Sequence, residues 1–288
     1  MRKLLYIVSL LMVVIACQKE IDMDYHEIEP VVVIEGRVTN EQVYVFITRS
    51  RSMNDSVKGR GVNGATVTIS TDDWNEQLVY DNSSGYYRSP SDKKGTAGQT
   101  YHLSVDLDGH HYEATSTMPK PAPITSAQFV WQPVLKNWLL IFELQATDPE
   151  PAVEGYYWFR MERFAVDPKV RRKQGSDPYR WNVFDDRGTL DGRILHDIHC
   201  MMELADGDDD EPDEDQLKSK LFDGDTITLQ LMTIDRPVYE YYQSLGVGQR
   251  MGANPISNIT GGCMGYFAAG SVSHADTVIY NKNITNGR

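Results

Sequence analysis

Hydrophobic and polar positions alternate with a period of two along most of the chain. In a strand, that period sends successive side chains to opposite faces. Pro30 to Val38 carries the β-branched run Val31-Val32-Val33-Ile34. Val43, Val45 and Ile47 then alternate with Tyr44, Phe46 and Thr48, and Ala65, Val67 and Ile69 with Thr66, Thr68 and Ser70. Short strands are predicted at 77–80, 86–88, 101–107 and 112–117, with turn residues such as Asn82-Ser83-Ser84-Gly85 and Asp108-Gly109 between them. About seven strands at this spacing predict an immunoglobulin-like β-sandwich over 30–118.

Pro119, Pro121 and Pro123 follow. Proline cannot donate to a ladder and stiffens the chain, so 119–123 reads as a linker. A second β-rich domain is expected over 124–288, with strands at 124–131, 138–146, 156–165, 226–233, 264–273 and 277–280. It contains one helix. Asp235 is its N-cap, Pro237 suits the first turn, Gly246 is a natural stop, and Val238, Tyr242 and Leu245 form its apolar stripe. The fold class is therefore mostly β, with a single short helix.

The N-terminus has a different pattern. Arg2 and Lys3 precede thirteen residues, Leu4 to Ala16, broken only by Ser9. A bilayer span needs about 20 apolar residues, so 1–16 reads as a signal peptide. It ends Val14-Ile15-Ala16-Cys17, the order required for lipid attachment at Cys17 followed by cleavage on its amino side. Residues 17–29, with five acids after Cys17, read as a lipidated tether.

Charge narrows the partners. The net charge is −13 and becomes −15 without Arg2 and Lys3, so the surface disfavours nucleic acid. With Cys17 carrying lipid, Cys200 and Cys263 remain, either bridged or as two free buried thiols. A bridge would close a loop of about 60 residues, worth roughly 4 kcal/mol on the chain-entropy argument.

Candidate chemistry is sparse. Residues 206–215 hold eight carboxylates, but the calcium-loop positions for Gly and Glu are Glu211 and Leu217, so a solvated acidic loop is expected. His196 and His199 precede Cys200 without a second ligand cluster, so no metal site is assigned. No nucleophile elbow or dinucleotide fingerprint occurs, and no cofactor is implied. The segment 169–181 is basic and aromatic, and Arg171, Arg172, Tyr179, Arg180 and Trp181 make it the candidate recognition loop. The alternative is a hairpin loop that answers the acidic one. Tyr156, Tyr157 and Trp158 read as strand core and rim.

Several blocks together resemble a known family. They are Cys17, Val32-Val33-Ile34-Glu35-Gly36, Val62-Asn63-Gly64-Ala65-Thr66-Val67, Gly85-Tyr86-Tyr87, and Gly98-Gln99-Thr100-Tyr101-His102-Leu103 running to Met118-Pro119. Asn254-Pro255-Ile256-Ser257-Asn258-Ile259 and Gly265-Tyr266-Phe267 complete the set. The chain resembles the Bacteroidetes outer-membrane lipoproteins grouped as domain of unknown function 4249, and its first half also resembles carboxypeptidase-regulatory-like β-sandwiches. The resemblance implies an outer-membrane lipoprotein acting beside a TonB-dependent receptor in nutrient capture, and it implies no catalytic residues. Gln18-Lys19-Glu20 with Asp22 resembles a surface-export signal. Asp55-Ser56-Val57, Asp225-Thr226-Ile227 and Asp276-Thr277-Val278 are similar to the O-glycosylation triplet of that phylum. The resulting expectation is a non-enzymatic binding or accessory subunit. A surface-anchored glycan or peptide hydrolase and a structural or adhesive subunit are the alternatives.

Overall fold

The computed structural model describes residues 29–50, 61–168, 178–187, 192–202, 217, 219–251 and 253–286. The expected signal peptide 1–16, Cys17, the expected tether as far as residue 28, Asp55-Ser56-Val57 and the acidic run 206–215 lie outside them.

The first half contains β1 (Val32–Thr39), β2 (Val43–Arg49), β3 (Thr66–Ser70), β4 (Asn75–Gln77), β5 (Val79–Asp81), β6 (Tyr86–Arg88), β7 (Thr100–Leu107) and β8 (His110–Thr117). The second half begins with β9 (Ile124–Val134), β10 (Asn137–Thr147), β11 (Tyr156–Phe164), β12 (Arg180–Asp185) and β13 (Arg193–Ile198). It continues with β14 (Met201–Met202), β15 (Lys220–Leu221), β16 (Thr226–Ile234), helix α1 (Arg236–Met251), β17 (Met264–His274) and β18 (Val278–Ile279). The protein is mostly β with one long helix, as its alternating pattern requires.

One sheet of nine strands runs β12-β11-β16-β17-β1-β2-β6-β5, with β18 beside β16. Two smaller sheets, β4-β3-β7-β8 and β13-β10-β9, lie against the same face of it. The first sandwich closes on Ile34, Val45, Ile47, Val67, Leu103, Tyr101 and Phe267. The second closes on Phe129, Phe142, Leu144, Tyr157, Phe159, Leu229 and Leu231. Strand periodicity puts Tyr266 and Ala268 of β17 on the opposite face, where α1 packs through Val238, Tyr241 and Tyr242.

β17 joins the two sandwiches. Its first part pairs in parallel with β1, from Val33 with Met264 to Thr39 with Gly270. Its last part pairs antiparallel with β16, from Thr233 with Ser271 to Gln230 with His274. The linker expected at 119–123 lies between β8 and β9. The chain crosses there, yet the first core takes Ile259, Cys263, Phe267 and Ala269 from the far end of the chain. The segment itself is pinned, with Ala122 buried and Ser271 Oγ donating to the Pro119 carbonyl.

The Asn254–Ile259 block seats the start of β17. Asn258 donates to the Phe267 carbonyl at 2.8 Å and accepts from the Phe267 amide at 2.9 Å. Ser257 Oγ donates to the Gly265 carbonyl at 2.8 Å. Gly265 has φ +109°, and a β-carbon there would stand 2.7 Å from the Ile34 carbonyl carbon, so only glycine lets β17 approach β1 this closely.

The helix starts where its signals place it. The Asp235 carboxylate accepts from the Val238 amide and from Ser116 Oγ, and the latter bond ties the cap to β8. It runs on through Gly246 to Met251, past the expected stop.

Candidate recognition site on the open sheet face

β1 alternates cleanly, with Ile34, Gly36 and Val38 toward the first core and Glu35 and Arg37 on the opposite face. Arg37 stands between Tyr44 of β2 and Ala268 of β17 in the register. Arg37 reaches across β17 and β16 to Trp158 of β11. The guanidinium carbon is 4.2 Å from the Trp158 ring centre, 5.5 Å from that of Tyr266 and 5.8 Å from that of Tyr44. Arg37 Nε donates to Tyr266 Oη at 2.7 Å, and Nη2 donates to Tyr266 and, at 3.4 Å, to Tyr242.

Among the described residues Arg37 makes no ion pair. Burial opposes its charge, and the oxygens of Tyr266, Tyr242 and Tyr44 outweigh that opposition, so its pKa stays above the ordinary arginine value. Burial also pushes Tyr266 and Tyr242 up, which keeps their hydroxyls neutral. Glu35, two positions back, is raised by burial, an effect that the charge of Arg37 moderates. Cation–π contacts contribute about 0.5–2 kcal/mol each at most, so this packing repays part of the desolvation and leaves the charge without a counter-ion.

Arg37 lies in the wall of a small hollow lined by Thr39, Glu41, Gln42, Tyr44, Trp158, Arg160, Gln230, Met232 and Val272. Its rim is a row across the sheet. Trp181 faces Arg160, Arg160 faces Gln230, and Gln230 faces His274 in successive ladders. Arg160 is paired with Glu162, and Glu41 with His274. The Trp158 indole stacks on Tyr242, 5.4 Å between ring centres, and its buried Nε1 has no hydrogen-bond partner.

The recognition loop expected at 169–181 divides. Arg171 and Arg172 lie outside the described residues. Tyr179 belongs to the second core, and its hydroxyl donates to the Ser219 carbonyl at 2.8 Å. Arg180 lies over the Tyr179 ring at 4.2 Å and donates to the carbonyls of Tyr179, His199 and Ser219. These two residues are therefore structural. Of the three described residues, Trp181, 41% exposed and 5.5 Å edge-on to Tyr242, stands at the open face. Of the aromatic triplet, Tyr157 is core, while Trp158 is a wall of the hollow.

The Cys200–Cys263 bridge is not formed. Cys263 sits in the first core and Cys200 against the second, so both are free thiols. Burial pushes Cys200 up to about 12 and Cys263 up to about 11. His196 stacks on Phe184 at 4.0 Å, and burial lowers its pKa. No three His, Cys, Asp or Glu residues converge as a metal site among the described residues. The Asp225-Thr226 triplet is built into the fold. Asp225 forms a fully buried pair with Arg163 at 2.8 Å, and Thr226 is paired on both sides within the sheet.

Sequence reasoning did not single out Arg37. A signal was present, because β2 places large residues on both faces, Tyr44 and Phe46 opposite Val43, Val45 and Ile47. Such a strand has a second face with work to do, and Glu35 and Arg37 face it from β1.

A comparison with curated proteins returns no match. The family described as Domain of unknown function (DUF4249) matches residues 18–275, a span that holds α1, every named strand except β18 and every residue of the Arg37 site, and the chain belongs to that family.

Proposed function

We propose that the protein is a non-enzymatic ligand-binding or accessory lipoprotein of the outer membrane, anchored through Cys17, that serves a TonB-dependent uptake receptor and holds its ligand at Arg37 on the open sheet face. The unpaired Arg37 charge inside an aromatic cage is the observation that carries this reading. A partly buried cation without a counter-ion is costly to keep, and such charges concentrate where a ligand supplies the missing partner. The leader ending in Ala16-Cys17 supports the anchor. Binding is favoured over hydrolysis because the carboxylates nearest a second hollow are committed to local bonds. Of those lining it, Asp148 accepts from the Glu150 amide, Glu150 pairs with Lys120, Glu154 pairs with Arg187, and Asp235 caps α1.

The test uses the full-length protein in detergent. Native mass spectrometry against mixed monosaccharides, oligosaccharides and small organic acids should show a one-to-one complex that is lost in Arg37→Met. Ligand conversion instead of retention, or equal retention by Arg37→Met, contradicts the reading. For the partner, affinity purification from outer membranes should recover a large β-barrel receptor. Its repeated absence would remove the uptake assignment while leaving the binding site standing.

A further inference from the structure

We infer that the Arg37 hollow takes the carboxylate group of a small sugar acid or aromatic acid. The inference rests on the proposed binding role of this site and adds the chemical class of the ligand.

Charge comes first. Of the charged residues lining the hollow, Arg160 is paired with Glu162 and the Glu41 carboxylate is hydrogen-bonded to His274, while Arg37 touches no carboxylate among the described residues. An anion is what that imbalance attracts. The aromatic walls Trp158 and Tyr44 keep water away from the guanidinium, and exclusion of water strengthens a charge–charge contact several-fold over bulk water.

Size comes second. The hollow measures about 60 Å³. A cavity that holds a benzene ring measures about 150 Å³ on the same scale, so this space admits a group the size of a carboxylate but not a whole ring. The rest of the ligand must therefore lie outside, across the rim.

Shape and the rim come third. With Nε and Nη2 held by Tyr266 and Tyr242, the guanidinium offers Nη1 to an anion, and a flat carboxylate fits so small a space better than a tetrahedral anion of the same charge. The rim offers the Gln42 and Gln230 amides and the exposed indole of Trp181. Amides that hydrogen-bond hydroxyls and an indole face that covers a ring suit a pyranose or an aryl group. The unpartnered Nε1 of Trp158 adds a further donor among the wall residues.

Calorimetry on the full-length protein in detergent tests this with two matched pairs, galacturonate against galactose and benzoate against benzyl alcohol, and with inorganic sulfate. At least one acid should bind about tenfold or more tightly than its neutral partner and than sulfate, the discrimination of one charge-assisted contact. That preference should vanish in Arg37→Met, shrink in the rim variant Arg160→Gln, and weaken as salt rises. Galacturonate alone identifies a sugar acid and benzoate alone an aromatic acid, and either supports the inference. Equal binding of acid and neutral partner, or of sulfate, with loss in Arg37→Met overturns the carboxylate and leaves the site intact. Binding of neither acid by the wild-type protein overturns the inference. Acid binding unchanged in both variants overturns the site as well. If Arg37→Met does not fold, as judged by circular dichroism, the Arg160→Gln comparison decides.

Discussion

The guanidinium of Arg37 lies 4.2 Å from the ring centre of Trp158, although β1 and β11 are separated in the sheet by β17 and β16. Two long side chains close that gap beside the small residue Ala268, and Met232 packs onto Gly270. A β-carbon on Gly270 would overlap the Met232 methyl and stand 2.8 Å from the Thr233 carbonyl oxygen. The parallel seam of β1 and β17 is thus what brings an arginine from the start of the chain to a tryptophan near its middle. The proposed site depends on the chain's long-range topology as much as on either residue.

The fully buried Arg163–Asp225 pair is expected to be the costliest polar contact to break. Asp225 also accepts from the amides of Phe222 and Val166. Removing one member leaves a charge without its partner in the core. Asp225→Asn or Arg163→Met should cost about 3–5 kcal/mol in urea unfolding. A loss below about 1 kcal/mol would show that the pair is dispensable.

Two neighbours in the basic, aromatic segment should behave oppositely. Tyr179→Ala empties a core position and should cost about 3–5 kcal/mol. Trp181→Ala removes a half-exposed ring and should change stability by less than about 1 kcal/mol while weakening ligand binding. Thermal melts of both variants check this. Equal destabilisation would mean that Trp181 is structural.

Asp185 gives the fold an acid-sensitive contact between β12 and α1. Hydrogen bonds from Arg187, and after them from Tyr239, hold its carboxyl at about 2, below the usual carboxylate range. A folded-state pKa below the unfolded one contributes stability that is complete above about pH 4 and is lost as pH falls toward 2. Melts between those limits should therefore show the wild-type protein losing its advantage over Asp185→Asn. A constant gap across that range would contradict the assignment. Asp186 next to it has the opposite sign, since burial raises its pKa.

Both core cysteines should alkylate without prior reduction once the chain is denatured. In the native protein at pH 8 both should react slowly, because burial holds Cys200 near 12 and Cys263 near 11 and leaves little thiolate. Mass spectrometry of the labelled peptides reads this out. A Cys200–Cys263 pair that resists alkylation until reduced would contradict the separation of the two cores.

Much of the architecture was readable where the physics is local. The alternation of Val43, Val45 and Ile47 with Tyr44, Phe46 and Thr48 gave a strand, and Asp235 with Pro237 marked where α1 begins. The edge strand β12 was hidden inside a basic segment, because Arg180, Trp181 and Asn182 do not look like a strand until Val183 and Phe184 are buried. The helix passes Gly246 and Gly248 because no proline follows them within it, and each glycine costs a helix only about 1 kcal/mol. The pairing of β1 with β17 joins opposite ends of the chain, and no local pattern encodes that. The Arg37 cage went unnoticed for the same reason. Arg37, Trp158, Tyr242 and Tyr266 are each ordinary in their own segments and become a site only when four elements converge.

The most direct test of the binding role uses the five tryptophans as position markers. In protein labelled with 5-fluorotryptophan, each resonance can be assigned by a single Trp→Phe substitution. Trp158 lies in the wall of the hollow and Trp181 at its rim, whereas Trp74 packs on the first core, Trp131 on the second, and Trp138 is exposed on β10. Titration with a compound that the protein retains should shift the Trp158 and Trp181 resonances and leave the other three in place. A shift at Trp138, Trp131 or Trp74 with Trp158 unmoved would place the ligand elsewhere and contradict the account.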